Sequence, residues 1–444
     1  MQESNLRKIL MLAVVLSTAM IGSRLAASNY QADNDATNDA MVLTLESSVR
    51  EAVAWHPSVE QAIGGLNERG TEVQEARAGY SPQISGGLGS GLEISGGSRW
   101  RPRANLSATQ MIYDFGKVSS SVAAAEAGVR VGRAQLLVAV DNLARNTAYA
   151  VIEIQRSRAL LAVAQEQRES VQAIDELVQY RAQRGASTRS DALQSDARVQ
   201  SAEVTILQIT AELHRWKSNL RHLLGRDDPG HVTDDVPEWL GEACLLATPD
   251  WDRVPAMMQF KAQREEAQAR YNQSMAEAMP TLSLGADASS DFRDPFSDRS
   301  EVTVGFTISS SLYQGGATKA RRNGARYALQ TADAAIATTR VEVNRNLAEA
   351  REQITSLTRM RDTLELRQEV MRETGKLYRL QYFEMGSRTL LDLLNAEQEL
   401  HQVRFDRVNA VHDVRRLNVD CLYSSGSTRD AFALTGMVVQ GVTL

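Results

Sequence analysis

The chain has 444 residues, with 55 Asp and Glu against 49 Lys and Arg and a formal charge of −6 at pH 7. That balance gives no basic surface of the kind a nucleic-acid partner requires, so that class is excluded. Aromatic residues make up only 5 %, and with Ala, Gln, Arg and Glu abundant the composition suits long helical bundles better than a compact sandwich.

Arg7 and Lys8 precede the apolar run Ile9–Ile21, and the small residues Ala26, Ala27 and Ser28 follow. This is the pattern of a secretory signal over residues 1–27, cut after about Ala27. The apolar run is too short to span a bilayer. With no cysteine near the cut, a lipid-anchored N-terminus is not expected. The cut removes Arg7, Lys8 and Arg24 against Glu3, which takes the charge from −6 to −8. Residues 28–43 are polar and acidic without a period, and read as a flexible leader. The two cysteines of the exported chain, Cys244 and Cys421, leave two readings open: a disulfide, or two buried free thiols acting as small apolar side chains.

A first structural repeat covers 44–225. It opens with helical patterning that pauses at Trp55, His56 and Pro57 and resumes to Gly79. From Pro82 the period changes: Ile84, Leu88, Leu92 and Ile94 share one parity, with Gly and Ser between them, which predicts a strand over 83–94. A turn-like SGGSRWRP segment leads to a second strand over 103–113, where Ala104, Leu106, Ala108 and Ile112 share one parity. The segment 117–183 then lacks proline entirely and carries apolar residues at steps of three and four, as in Leu136, Val140 and Leu143. It reads as one helix about 100 Å long with one buried stripe, and such a helix is stable only against partners of similar length. Gly185 supplies a turn, Ser187 can cap, and a return helix is predicted over 187–224.

A proline-rich connector over 226–254 separates this unit from a second repeat over 255–423. Pro57 and Pro82 recur as Pro255 and Pro280, Tyr113-x-x-Gly116 as Tyr313-x-x-Gly316, Gly185 as Gly386 and Asp191 as Asp392. The chain is therefore a tandem duplication with a period of about 200. The second copy predicts strands over 281–290 and 300–312, a long helix over 318–384 and a return helix over 388–423. In each copy the two short helices add to about 90 Å, enough to line the long one end to end. The tail 424–444 has no period and no assignment.

Four strands with one apolar and one small polar face are too few to close. Each has the length that crosses a bilayer when tilted, and backbone groups in lipid must all be paired, so closure must come from several chains. Tyr80, Tyr113 and Tyr313 lie at the strand ends nearest the helices, where an interfacial aromatic belt belongs.

These features together resemble the TolC-like family of outer membrane factors, most closely members serving type I secretion, from about Thr44 to Leu422. The resemblance rests on the duplication, on the junctions Tyr113-Asp114-Phe115-Gly116 and Leu312-Tyr313-Gln314-Gly315-Gly316, and on the two hairpins from Arg184 to Asp191 and from Phe383 to Asp392. It implies a mainly α-helical homotrimer. Its helical hairpins would form a periplasmic α-barrel, below a twelve-stranded transmembrane β-barrel of four strands per chain, with an equatorial belt around the connector. The implied setting is the outer membrane and its lipid, with a long periplasmic extension. The implied partners are a periplasmic adaptor (membrane fusion) protein and an inner membrane ABC transporter, or alternatively an RND pump serving multidrug or metal efflux.

By carry-over from that family, Asp392 lines the periplasmic constriction. Asn395 stands where a second acidic residue is frequent. Arg388 reaches Asp191 and Ser190 as a latch, and Phe383 replaces a tyrosine, which removes one hydrogen bond. Arg184, Gly185 and Ser187 of the first hairpin, and Met385, Gly386 and Ser387 of the second, would meet the adaptor.

An enzyme is disfavoured. The sequence has no Walker loop, HExxH or GxSxG, and Gly86-Gly87-Leu88-Gly89-Ser90-Gly91 lacks the following helix of a dinucleotide site. His214 and His222 read as a solvated helix face rather than metal ligands, so no cofactor or metal is expected. A periplasmic coiled-coil adaptor, the remaining alternative, does not account for the membrane-length strand pairs.

Overall fold

A computed structural model describes residues 42–93, 99–291 and 301–444. The signal, most of the leader and both strand-connecting turns lie outside the described residues. In chain order the elements are β1 (Val42–Leu43), α1 (Leu45–Trp55), α2 (Pro57–Ala78), β2 (Gln83–Glu93), β3 (Arg99–Tyr113), α3 (Lys117–Gln183), α4 (Arg189–Leu224), β4 (His231–Val232), α5 (Glu238–Leu246), α6 (Pro255–Ala276), β5 (Thr281–Asp291), β6 (Glu301–Ser309), α7 (Ala317–Leu380), a π-turn (Gln381–Met385), α8 (Leu390–Ser425), α9 (Thr428–Ala431), β7 (Val438–Val439) and β8 (Val442–Thr443). Among the described residues no helix is long and apolar enough to cross a membrane.

The long helices start and stop for local reasons. The Asp114 carboxylate accepts from the backbone N–H groups of Gly116 at 2.9 Å and Val118 at 2.6 Å, so it satisfies the first donors of α3. Thr188 and Thr389 cap α4 and α8 through reciprocal bonds with Asp191 and Asp392. The cap of α4 is thus Thr188 and not Ser187, whose hydroxyl instead donates to Asp191 at 3.0 Å.

The helices lie in the order α2 and α4, then α3, then α6 and α8, then α7, with the short helices end to end beside the long ones. Since α3 is flanked on both sides, it buries more than a stripe. From Val140 to Ser157 it is buried on almost every face, because α1, β4 and the C-terminal tail pack there. Helix α7 buries only Thr339, Val343, Leu347, Ala350, Leu364 and Gly375 along its length. It leaves Val341, Leu366 and Val370 exposed, as α4 on the opposite flank leaves Leu193, Val204 and Leu207.

The strands form one antiparallel sheet in the order β2-β3-β5-β6. The register places Ile84 opposite Ala108, Leu106 opposite Ala288, Ala286 opposite Val304 and Leu284 opposite Phe306. Opposed residues point to one side of a sheet, so all four strands contribute to a single apolar face. That face is open to solvent in the single chain: Leu88 is 77 % and Ile308 74 % exposed. The other face carries Ser85, Ser107, Thr303, Gly305 and Thr307. Three details differ from the parity reading. A bulge between Met111 and Tyr113 brings Tyr113, not Ile112, opposite Leu282. And β3 begins at Arg99 rather than 103, its first residues pairing with the end of β2, from Glu93 opposite Arg99 to Ser90 opposite Pro102. In the second copy the strand ends at Ser309, short of Leu312 and Tyr313.

Around the middle of α3 the connector and tail build an equatorial layer. Val42 and Leu43 form β1, which pairs in parallel with His231 and Val232 of β4. Cys244 and Cys421 are bonded to each other, joining α5 to α8. The tail, which carries no sequence signal, sends Phe432 and Leu434 into the main core, where Phe432 meets Trp239 edge-on at 5.3 Å. Its Arg429 lies 3.3 Å from Asp141 of α3, and both side chains are buried. Burial pushes the Asp141 carboxyl up to about 7 against the opposing charges of Arg429 and Arg253. A carboxyl raised above its unfolded value stabilises the fold fully at low pH and loses that contribution as pH rises toward about 7. Asp141→Asn should therefore flatten the pH dependence of thermal unfolding between about pH 4 and 7. Melting curves over that range check this, and an unchanged slope would contradict it.

Candidate functional site: the hairpin tips

The ends of the helices farthest from the sheet are two hairpins, α3 to α4 and α7 to α8. Gly185 and Gly386 occupy their turns at φ +70° and +60°, a conformation that a Cβ disfavours. The two turns are not equivalent. The duplicated landmarks are 200 residues apart at Gly116 and Gly316 but 201 apart at Gly185 and Gly386, so the second copy holds one extra residue. It falls in the turn. Ala186 N–H donates to Arg181 O in the first hairpin, whereas Ser387 N–H donates to Gln381 O, one residue further back. The π-turn Gln381–Met385 absorbs the insertion, a wide turn of the sort found frequently at functional sites.

In the first hairpin Arg184 and Gly185 are exposed and Ser187 is half-buried, with the Arg184 guanidinium over the Tyr180 ring at 4.3 Å. Ser190 is exposed. Asp191 accepts from Thr188 N–H at 3.2 Å and from the Ser187 hydroxyl at 3.0 Å. Its slight burial would raise the carboxyl, but the bonds to Thr188 and Ser187 outweigh that and hold it below its usual value.

In the second hairpin Met385, Gly386 and Ser387 are exposed. Asp392 accepts from Thr389 N–H at 3.3 Å and lies 3.9 Å from Arg388. Arg388 donates to the Gln381 side chain at 3.1 Å and covers the Tyr378 ring at 4.5 Å. Within the chain, therefore, Arg388 is not on Asp191 or Ser190. Each hairpin satisfies its own acid through its own capping box.

The contact that does join the hairpins comes from Arg181 of α3. Its guanidinium donates to the Phe383 carbonyl in the π-turn at 3.0 Å and stacks on Tyr382 at 5.3 Å. A second contact runs from Arg198 of α4 to Asn395 at 3.3 Å and to Gln398. Behind these, Tyr382, Leu390, Leu393 and Leu394 pack against Val171, Ile174 and Val178. Further along the seam Glu397 accepts from Ser170 at 2.9 Å, and Arg416 pairs with Glu153 at 3.1 Å. Burial and the charge of Arg404 lower His401 to about 4, so it is neutral beside Glu397 at ordinary pH.

Comparison with known proteins places this geometry. Residues 48–226 and 252–418 match the outer membrane efflux protein family, one segment for each structural repeat. The chain belongs to that family. A curated relative, the outer membrane efflux protein BepC of Brucella suis biovar 1 (strain 1330), is 21 % identical over 388 residues, covering 84 % of this chain and 83 % of the relative. Among solved structures the fold is shared with the outer membrane protein VceC of Vibrio cholerae (TM-score 0.74, 20 % identity, 86 % of this chain and 96 % of that one). It is also shared with the CmeC outer membrane channel of Campylobacter jejuni (TM-score 0.72, 14 % identity, 86 % of each chain). Members of the outer membrane efflux protein family are TolC-like channels rather than enzymes. The protein accordingly resides in the outer membrane with its long helices in the periplasm.

Arg181 and Arg198 were missed by sequence reasoning because Arg is abundant on every helix. The available signal was the 200-to-201 step in the repeat spacing, which flags the turn that Arg181 holds. Loss of a charged hydrogen bond of this kind costs about 1.5–3 kcal/mol. Arg181→Ala should loosen the second hairpin and raise single-channel conductance in planar bilayers, with Arg181→Lys intermediate. Conductance unchanged in both variants would remove the contact from the gate.

Proposed function

We propose that the chain is the outer component of a tripartite exporter, a trimeric channel-tunnel whose periplasmic end is gated by the hairpin tips. The observation that carries this reading is the match between its open edges. Strand β2 follows α2 and strand β6 precedes α7, so the sheet and the helical layer are both open along the same two flanks. A head-to-tail contact between unlike flanks closes into a ring when the rotation permits. Three chains give a twelve-stranded barrel continuous with a helical tube.

At the tip of such a trimer each charge becomes a ring of three. Asp392, held by its capping box and exposed in part, would form an acidic ring that favours cations, while Asn395 leaves the next turn uncharged. Arg388 and Arg181 would hold the closed arrangement. An exposed ion pair such as Arg388–Asp392 contributes only about 0–1 kcal/mol and the Arg181 hydrogen bond about 1.5–3 kcal/mol, so docking of an adaptor on Arg184, Gly185, Ser187, Met385, Gly386 and Ser387 would release them without unfolding the helices. The partners in this reading are a periplasmic adaptor and an inner membrane transporter.

For the cargo, the junction Leu312-Tyr313-Gln314-Gly315-Gly316 favours type I secretion of proteins with an ABC transporter. The name of the Brucella relative favours efflux, the setting in which the partner would be an RND pump. Deleting the gene in its host separates the two: loss of a secreted protein supports the first, and increased sensitivity to small toxic compounds supports the second. For the gate, Asp392→Ala should lower cation preference several-fold in planar bilayers, and unchanged selectivity would put the constriction elsewhere.

A further inference from the structure

Behind the tips, where α3, α7 and α8 meet, lies a cavity of about 270 Å³. Helix α7 contributes Arg372, Lys376 and Arg379 to its wall, and α8 contributes Arg404 and His401. The carboxylates of the wall are Glu166 and Glu397. With His401 neutral, four cations against two carboxylates leave a net charge of +2. Arg404 pairs with Glu166, and Arg379 lies 3.5 Å from Glu397. Arg372 and Lys376 pair instead with Glu369 and Glu373, one turn back on their own helix and outside the wall. Exposed pairs of that kind contribute little, so both side chains are available to a ligand.

The duplication shows that this charge belongs to one copy. With a spacing of 200 before the turn and 201 after it, Arg372, Gly375, Lys376, Arg379 and Arg404 stand where the first repeat has Gln172, Asp175, Glu176, Gln179 and Glu203. A face that is acidic in one copy is basic in the other. Gly375, also in the wall, leaves open the space that an aspartate would fill.

His401 is the second observation. Its side chain is 3 % exposed and its Nε2 lies 3.9 Å from Glu397, while Nδ1 is buried with no hydrogen-bond partner among the described residues. A buried polar atom in that state calls for a partner from outside the protein. The cavity is about 70 Å along α3 from the sheet, which puts the phosphates of a bilayer around the sheet out of reach.

We propose that this cavity binds a free tetrahedral dianion of the phosphate class, held by Arg372 and Lys376 with His401 at its wall. A charge of −2 offsets that of the wall. Monohydrogen phosphate carries a donor as well as acceptors, so it completes His401 Nδ1 in either neutral tautomer. Bound there, it joins α7 to α3 and α8 across the seam between the repeats and braces the second hairpin behind Arg181. The proposal does not depend on the channel reading, because binding is measured directly.

The test is calorimetric titration of the detergent-solubilised full chain with inorganic phosphate, in chloride buffer of constant ionic strength. Saturable binding of one phosphate per chain is expected. Arg372 and Lys376 are partly exposed, so an Arg372→Gln, Lys376→Gln variant should fold, and it should bind at least about tenfold more weakly. Arg345→Gln, on the exposed surface of the same helix outside the cavity, should bind as the natural chain does. Phosphate should also raise the melting temperature of the natural chain and not that of the double variant. Absent or unsaturable binding, or equal affinity in the double variant, overturns the site. A matching loss in Arg345→Gln also overturns it, since phosphate would then be responding to a basic helix rather than to a cavity.

Discussion

Unpaired backbone along two strand edges is the constraint on which the molecule depends. Among the described residues, strands β2 and β6 each pair on one side only. In hydrocarbon each unmatched N–H or C=O costs several kcal/mol, and the apolar face of the same sheet belongs in hydrocarbon. A single chain therefore cannot occupy the membrane. The helical layer repeats the problem in apolar form, with Leu366 and Val370 exposed on the α7 flank and Leu193, Val204 and Leu207 exposed on the α4 flank. One lateral surface, running from sheet to hairpin tips, thus meets the requirement of both layers at once.

Inside the chain the two repeats meet along α3 and α8, and that seam is polar to an unusual degree for buried helices. Glu153, Glu397, His401 and Asn418 are buried there among Arg156, Arg379 and Arg416. Breaking such pairs singly is costly, because it leaves a buried charge uncompensated. The apolar core is concentrated instead in the equatorial layer, where the tail, α1, β4 and α5 surround the middle of α3. The seam fixes register between the repeats, and the equatorial layer fixes their position. At the tips the two hairpins are joined by a small apolar cluster and by the contacts of Arg181 and Arg198.

Much of this was legible in the sequence. The long helices show as proline-free segments of constant period, the strands as strict alternation, and the duplication as repeated Pro, Tyr and Gly landmarks. What was not legible depends on single residues or on distant contacts. The bulge at Ile112 reverses the parity of Tyr113 without leaving a compositional mark. The π-turn appears only as a one-residue change in spacing. Phe432 and Leu434 have no period because they fill an existing core rather than form an element of their own. At the tips, spacing placed Asp191 and Asp392 correctly at the helix starts, but family carry-over gave Arg388 a partner across the hairpins. In the chain the neighbouring Gln381 and Asp392 are nearer, and Arg181 makes the link instead.

Closure of one ring by unlike flanks of identical chains is tested most directly by native mass spectrometry of the detergent-solubilised protein. The natural chain is compared with a Leu366→Asp, Val370→Asp variant, whose altered side chains lie on the exposed flank of α7. Ring closure predicts a trimer for the natural chain and loss of the trimer, toward monomer, for the variant. A monomeric natural chain, or a variant that stays fully trimeric, would contradict it.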